Sequence, residues 1–269
     1  MIWCRYRTNG RERYGIVDGD AVVDVEGSPF ERSEPTGRRF ALDQVKLLPP
    51  TRPATFFCVG LNYRAHIEHA MALGNPVAKL PERPEVGYRA NSALVGHEDE
   101  IVVPADLPGP LEAEPEAAAV IGRPVRNASR AEARRAILGW TIGNDVSARA
   151  WQHADRTLWR AKNCDTFKPM GPWIVTDADP DDATTTMRVN GANVSSFATG
   201  EMIFDAIDYV VEITRYITMA PGDVLWMGAD GAAPIAPGDT VEIHITGIGT
   251  LRNRVVGHNG LPSTKGNGK

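Results

Sequence analysis

The apolar runs of this chain are short, and glycine or proline bounds most of them. Thr55-Phe56-Phe57-Cys58-Val59 ends at Gly60, Ala117-Ala118-Ala119-Val120-Ile121 ends at Gly122, and Val224-Leu225-Trp226-Met227 follows Pro221-Gly222. Runs of this length between turn formers suit strands and are too short for helices. The 26 glycines and 20 prolines follow no period, so they mark tight turns rather than low complexity. A mixed α/β, β-dominated fold with few helices is therefore expected. With 269 residues the chain has room for one large domain or two unequal ones.

Composition excludes several partner classes. Hydrophobic residues at 42% and charged residues at 23% are ordinary for a soluble globule. The net charge of −5 and the lack of a basic tract argue against nucleic acid. No apolar run approaches the roughly 18 residues of a membrane helix, and Met1 to Arg7 lacks the apolar segment of a signal peptide. The cysteines Cys4, Cys58 and Cys164 are far apart and odd in number, which suggests neither a disulfide framework nor a thiolate zinc site. The cytoplasm is the expected compartment.

Residues 1–50 read as a small β-rich N-terminal domain, with two strands between Gly15 and Val25 around Asp18-Gly19-Asp20. The stretch 27–39 is polar and loop-like, and Pro49-Pro50-Thr51-Arg52-Pro53 forms an extended linker. The main domain is expected over 54–258, with 259–269 a flexible tail. Its strands are expected at 55–59, 101–104, 117–121, 140–146, 224–227, 240–246 and 251–256. Tyr63 to Leu73 has helical composition and Gly74 as its stop. Ser129-Arg130-Ala131-Glu132 spells a capping box for a helix ending at Gly139. Another helix, from about Glu201 to Thr218, would place Ile203, Ile207, Val210, Val211 and Ile217 on one face. Ala-Pro-Gly-Asp occurs at 220–223 and again at 236–239, each time ahead of a strand, as a repeated piece of turn chemistry.

Four segments carry residues that could do chemistry. In extended chain the carboxylates of Glu114 and Glu116 project to one side. Like charges that close need a cation, a shared proton or water around them. Glu112 has the same parity and competes as a ligand. Asn144-Asp145 ends a strand, and a third carboxylate there would complete an all-oxygen site suited to Mg²⁺ or Mn²⁺, with Ca²⁺ also admitted, rather than zinc. His66-Ile67-Glu68-His69 puts two imidazoles at i and i+3, a spacing unlike that of the zincins. A neutral histidine near a metal is a natural base. Lys162 would pair with a carboxylate or an enolate of substrate. Taken singly, each of these is more often a solvated turn, a surface histidine or a surface lysine.

Taken in order, the segments resemble the fumarylacetoacetate hydrolase family. The matching stretches are Val59-Gly60-Leu61-Asn62-Tyr63-Arg64-Ala65-His66, then Glu114-Pro115-Glu116 with Ala119-Val120-Ile121-Gly122, then Gly143 to Arg149 with Trp151-Gln152. Lys162 follows, with Asp165-Thr166-Phe167 and Gly171-Pro172-Trp173, and last Gly247 to Asn253. The resemblance implies a β-roll or β-sandwich-like core, usually dimeric. It implies one divalent cation, Mg²⁺ or Mn²⁺, held by Glu114, Glu116 and Asp145. Lys162 assists at that site, His66 on a lid-like segment over 63–74 serves as base, and Arg64 and Gln152 match positions near the substrate, a small oxo acid.

The chain departs from the family pattern in specific places. Where many relatives carry an acid three residues after the histidine, this chain has His69, and Glu68 is the alternative acid partner. Ala150 replaces an aspartate, Met227-Gly228-Ala229-Asp230 replaces Thr-Gly-Thr-Pro, and Pro115 lies between the two glutamates. The expected activity is metal-dependent hydrolysis of a C–C bond in an acylpyruvate-like or other diketo acid. Isomerisation, tautomerisation or decarboxylation through the same enolate is the alternative, and a metal-binding protein without catalysis is a third reading.

Overall fold

The computed structural model describes residues 1–72, 80–152 and 154–258. Five strands open the chain: β1 (Ile2–Thr8), β2 (Arg11–Asp18), β3 (Ala21–Glu26), β4 (Glu34–Ala41) and β5 (Lys46–Leu48). After β6 (Phe56–Val59) comes helix α1 (Arg64–Ala72), then β7 (Val86–Tyr88), β8 (Leu94–Val95), β9 (Glu100–Val103), β10 (Leu111–Ala113) and β11 (Pro115–Ile121). Helix α2 (Arg130–Ala136) leads directly into β12 (Ile137–Asn144), and two short helices, α3 (Arg149–Gln152) and α4 (Trp159–Asn163), precede β13 (Lys168–Val175). The rest is β14 (Thr184–Val189), β15 (Ala192–Ala198), α5 (Ala206–Thr214), β16 (Val224–Trp226), β17 (Ala233–Ile235), β18 (Thr240–Ile245) and β19 (Gly249–Gly257).

The strands form one sheet of 12, ordered β4-β3-β2-β1-β13-β12-β11-β16-β6-β7 with β5 on β1 and β8 on β13, a sheet of five, β15-β14-β18-β19-β9, and the pair β10-β17. Strands β3 and β6 are separated by six others in that order. Yet Val25 of β3 and Phe56 and Cys58 of β6 share one apolar cluster with Trp3, Met170 and Trp226. The large sheet therefore rolls up on itself. Its other face packs on the five-stranded sheet and on α2 and α5, through Ala117, Ala119, Ile142, Ile213, Ile243 and Leu251 among others. Strand β11 is central and all of its residues are buried. Its run of small alanines matches a strand covered on both faces.

Local chemistry explains several element ends. The capping box is formed: Ser129 Oγ accepts from Glu132 N, and the Glu132 carboxylate accepts from Ser129 N. Asp205 and Asp208 make a second box at the start of α5. In both Ala-Pro-Gly-Asp turns the aspartate Oδ2 accepts from the alanine N, Asp223 from Ala220 at 2.7 Å and Asp239 from Ala236 at 2.8 Å. Gly222 and Gly238 have φ of +87° and +103° there, which glycine adopts without a Cβ clash.

Some boundaries differ from expectation. Glu34–Ala41, which overlaps most of the second half of the expected polar loop, is strand β4; it is an edge strand, and its exposed charged residues hide its period. Helix α2 stops at Ala136, because Ile137 is already extended and pairs with Ile121. Gly139 is a strand residue packed against Val175, not a helix stop. Helix α5 starts at Ala206 rather than 201, since Met202 bridges Tyr63 and Ile203 N donates to Asn62 O. The N-terminal strands join the main sheet through β1 and β13, with Ile2 opposite Val175. The expected stop at Gly74, the end of the lid-like 63–74 segment and the 259–269 tail lie outside the described residues.

Candidate active site

The ladder between β11 and β12 builds the acidic cluster. Pro115 pairs with Asn144 and Glu116 with Gly143, so Asp145, one residue past β12, comes level with Glu114, whose carbonyl accepts from Asp145 N at 2.9 Å. Pro115 opens the strand, where its missing N–H costs no ladder bond. Asn144 Oδ1 accepts from Glu114 N at 3.1 Å and fixes the approach to the strand. Carboxylate oxygens of Glu114, Glu116 and Asp145 thus lie within 4.8 Å of one another, and all three residues are buried.

Four cations surround them, unevenly. Asp145 receives Arg89 on both oxygens (3.1 and 2.9 Å), Lys162 Nζ on Oδ2 at 2.8 Å and Lys168 Nζ on Oδ1 at 2.7 Å. Glu114 is held by Lys162, Arg149 and Ser147 Oγ. Among the described residues Glu116 accepts only from the backbone N–H of Gly228, at 2.7 Å, and forms no ion pair. The consequences for protonation follow this distribution. Burial pushes the Asp145 carboxyl up, but Arg89, Lys162 and Lys168 together hold it well below the usual carboxylate range. Glu114 is likewise pushed up by burial and pulled lower by Lys162 and Arg149. Glu116 is raised to about 8, by burial first and then by the negative charges of Asp145 and Glu114.

The cluster faces a cavity of about 190 Å³ whose walls include His66, Arg89, Arg149, Gln152, Leu158 and Lys162. His66 comes from α1, and burial lowers its pKa, which keeps the imidazole neutral near pH 7. Lys162 comes from α4, which begins after Leu158 in the left-handed conformation. Wider clefts exist, one of about 890 Å³ beside Trp173 and His97, but among the described residues the only three carboxylates close enough to share an ion are Glu114, Glu116 and Asp145.

The structure brings together Glu114, Glu116, Asp145, Lys162, His66 and Gln152; Gln152 Oε1 accepts from Arg149 Nη1 at 2.7 Å. It does not bring Arg64 or Glu68 to the cavity wall: both are 63% exposed, and their charged ends lie 4.0 Å apart. The side chain of His69 is outside the described groups. Glu112 is taken up by Arg149 Nε at 2.6 Å rather than by the cluster. Arg89 and Lys168 had no pattern to mark them, although a lysine opening an apolar strand, Lys168–Val175, was a hint that it is buried and paired.

The donor set is three hard carboxylate oxygens, the chemistry that Mg²⁺, Mn²⁺ and Ca²⁺ accept. One of the three, Glu116, has no ion-pair partner among the described residues, and a divalent ion would supply that charge. The residues present therefore fit such an ion.

Fold and site together define a rolled β-sheet protein with a buried carboxylate triad suited to a hard divalent cation. The model of the fumarylacetoacetate (FAA) hydrolase C-terminal domain matches residues 55–256, and an Rv2993c-like N-terminal model matches residues 1–50. The chain belongs to the fumarylacetoacetate hydrolase family. Protein Rv2993c of Mycobacterium tuberculosis is 42% identical over 254 residues, covering 90% of this chain and 93% of its own. The 2,4-didehydro-3-deoxy-L-rhamnonate hydrolase of a Sphingomonas species is 31% identical over 290 residues, covering 95% and 96%. The crystal structure of 5-carboxymethyl-2-hydroxymuconate delta-isomerase from Mycobacterium smegmatis matches with a TM-score of 0.86 at 38% identity, covering 96% of this chain and 100% of that one. Among the described residues no helix is long and apolar enough to cross a membrane.

Proposed function

We propose that this protein is a divalent-metal-dependent enzyme that forms the enolate of a small 2-oxo acid and returns it as an isomer or tautomer. The observation that carries this reading is the buried triad of Glu114, Glu116 and Asp145 opening on a cavity walled by a neutral His66 and by Lys162. Glu114, Glu116 and Asp145 would hold Mg²⁺ or Mn²⁺, which when bound supplies positive charge to substrate oxygens and orients them. Neutral His66 can take the proton from the carbon beside the 2-oxo group and return it at carbon or oxygen. Lys162 has three N–H groups, of which Glu114 and Asp145 take two, leaving one for the developing oxyanion. Leu61, Leu158 and Val59 line the same cavity and limit water around the reacting carbon.

Isomerisation is placed ahead of hydrolysis because no acid backs His66 from Glu68, which is exposed beside Arg64. A base that only shuttles a carbon-bound proton needs no such partner to activate water. C–C bond hydrolysis of a diketo acid is the second reading. It is favoured by the resemblance to the Sphingomonas hydrolase along nearly the whole chain. One experiment separates the two. The protein is incubated with Mn²⁺ and a panel of 2-oxo acids and acylpyruvates in D₂O, and the reaction is followed by NMR. Exchange at C3 without fragmentation, lost in His66→Ala, supports enolisation. Two carboxylate products support hydrolysis. Neither exchange nor fragmentation above the Mn²⁺ control, with Mn²⁺ bound, refutes both.

A further inference from the structure

Lys168 is completely buried, with 0% of its surface exposed, and it does not line the cavity. Its ammonium has three N–H groups, and three oxygens surround it: Val146 O at 2.9 Å, Phe167 O at 2.8 Å and Asp145 Oδ1 at 2.7 Å. No donor is left for a substrate. The two carbonyls belong to segments already tied together, since Val146 N donates to Phe167 O at 3.2 Å. The ammonium therefore sits at a place fixed by the backbone just past β12 and just before β13. From there it grips one oxygen of Asp145, while Lys162 takes the other and Arg89 spans both.

Building on the reading that the triad holds a divalent ion, we propose that Lys168 is a positioning residue that fixes the Asp145 carboxylate in its ion-binding orientation. It acts through Asp145 alone and touches neither substrate nor ion. A buried cation this close to an ion site has two opposed effects, and they give the proposal a sign. By charge alone, removing Lys168 takes away a repulsion and would tighten binding of a divalent cation. By orientation, removing it frees Asp145 to turn toward Arg89 and Lys162 and would weaken binding. Loss of a partner that orients a ligating group typically weakens metal affinity about 10- to 100-fold. The Nζ grip at 2.7 Å, anchored by two backbone carbonyls, makes orientation the larger effect.

The test is Mn²⁺ binding to the full chain, without substrate, by calorimetry, with the electron paramagnetic resonance spectrum of bound Mn²⁺ as a report on its ligand shell. Lys168→Met removes donor and charge at similar volume. Lys168→Gln removes the charge but keeps a donor. Lys168→Met is expected to bind Mn²⁺ about 10-fold or more weakly with an altered spectrum, and Lys168→Gln to lose less. Equal or tighter binding by Lys168→Met overturns the proposal, as does a fall in melting temperature with unchanged affinity and spectrum. If Lys168→Met does not fold, the same comparison is made with Lys168→Gln, where unchanged or tighter binding is again the refuting result. A wild-type protein that binds no Mn²⁺ overturns the metal reading itself, a result distinct from a difference between variants.

Discussion

Gly143 gives the sharpest test of how the fold supports the site. It lies in β12 opposite Glu116 and beneath the ring of Trp226. A Cβ added there would come within 2.8 Å of three atoms of that ring. Carbon atoms settle at roughly 3.5–4.0 Å, so something must move by about 0.7 Å or more. Neither side yields easily. β12 is held by β11 and β13, and Trp226 is fully buried against Phe56, with ring centroids 4.8 Å apart. Overpacking of this kind costs about 1–3 kcal/mol. At about 2–4 °C per kcal/mol for a chain of this size, Gly143→Ala should lower the melting temperature by roughly 2–12 °C. The displacement also reaches the site, because Gly228, two residues beyond Trp226, donates to Glu116. Mn²⁺ affinity measured by calorimetry should therefore fall together with stability. Gly60→Ala is the control: a Cβ there meets nothing within 4 Å, and its melting temperature should not change. If Gly143→Ala melted and bound Mn²⁺ like wild type, the ring would not be backing the strand, and the core would not be coupled to the site.

Two further predictions concern buried carboxylates. Glu116→Gln removes a charge that burial and two neighbouring carboxylates oppose, and should melt no lower than wild type at pH 8 without metal, while the rise in melting temperature on adding Mn²⁺ disappears; a persisting Mn²⁺ effect in differential scanning would remove Glu116 from the ion site. Burial pushes Asp24 up, but hydrogen bonds from Tyr6, Thr36 and Arg38 outweigh it and hold the carboxyl below its ordinary value. With a folded pKa below the unfolded one, its contribution is present above about pH 4 and lost as pH falls through the folded value. Asp24→Asn should therefore cost about 3 kcal/mol or more near neutral pH in urea unfolding, with the gap to wild type narrowing as the pH falls below the ordinary carboxylate value; a gap independent of pH would contradict the assignment.

What the sequence made legible was local. The Ser129 capping box, the two Ala-Pro-Gly-Asp turns and the Ala117–Ile121 run each carry their structural reason within a few residues. The alternation at Thr240–Ile245 does the same. The close pair Glu114-Pro115-Glu116 was readable as two carboxylates on one side of a strand, and Asp145 as a third at a strand end. What joins them is not local. Arg89 reaches Asp145 across 56 positions of sequence and Lys162 reaches Glu114 across 48, and neither residue sits in a spacing that announces a partner. Likewise β13 to β15 carry proline, glycine and threonine where a clean period would be needed. Their strand character comes from pairing with β1, β12 and β18, not from their own pattern.

The uneven placement of cations suggests how such a site can be both stable and receptive. Burying three carboxylates together would be prohibitive if all were ionised and unpaired. Cations on Asp145 and Glu114 meet most of that cost in the folded protein and hold both groups ionised and oriented. Glu116 is treated differently. Among the described residues its one hydrogen bond, from Gly228 N, points the carboxyl, and no cation pairs with it directly, although Lys162 pulls on it from a distance. In the absence of an ion it is best accommodated protonated, with its pKa raised to about 8. An arriving divalent cation finds two ligands already ionised and a third that gains most from ionising, so binding should release about one proton near neutral pH. A fifth cation, placed on Glu116, would make the metal-free protein more stable and the site less able to take up an ion. The missing partner of Glu116 is thus the feature that distinguishes an ion-binding cluster from a set of structural salt bridges.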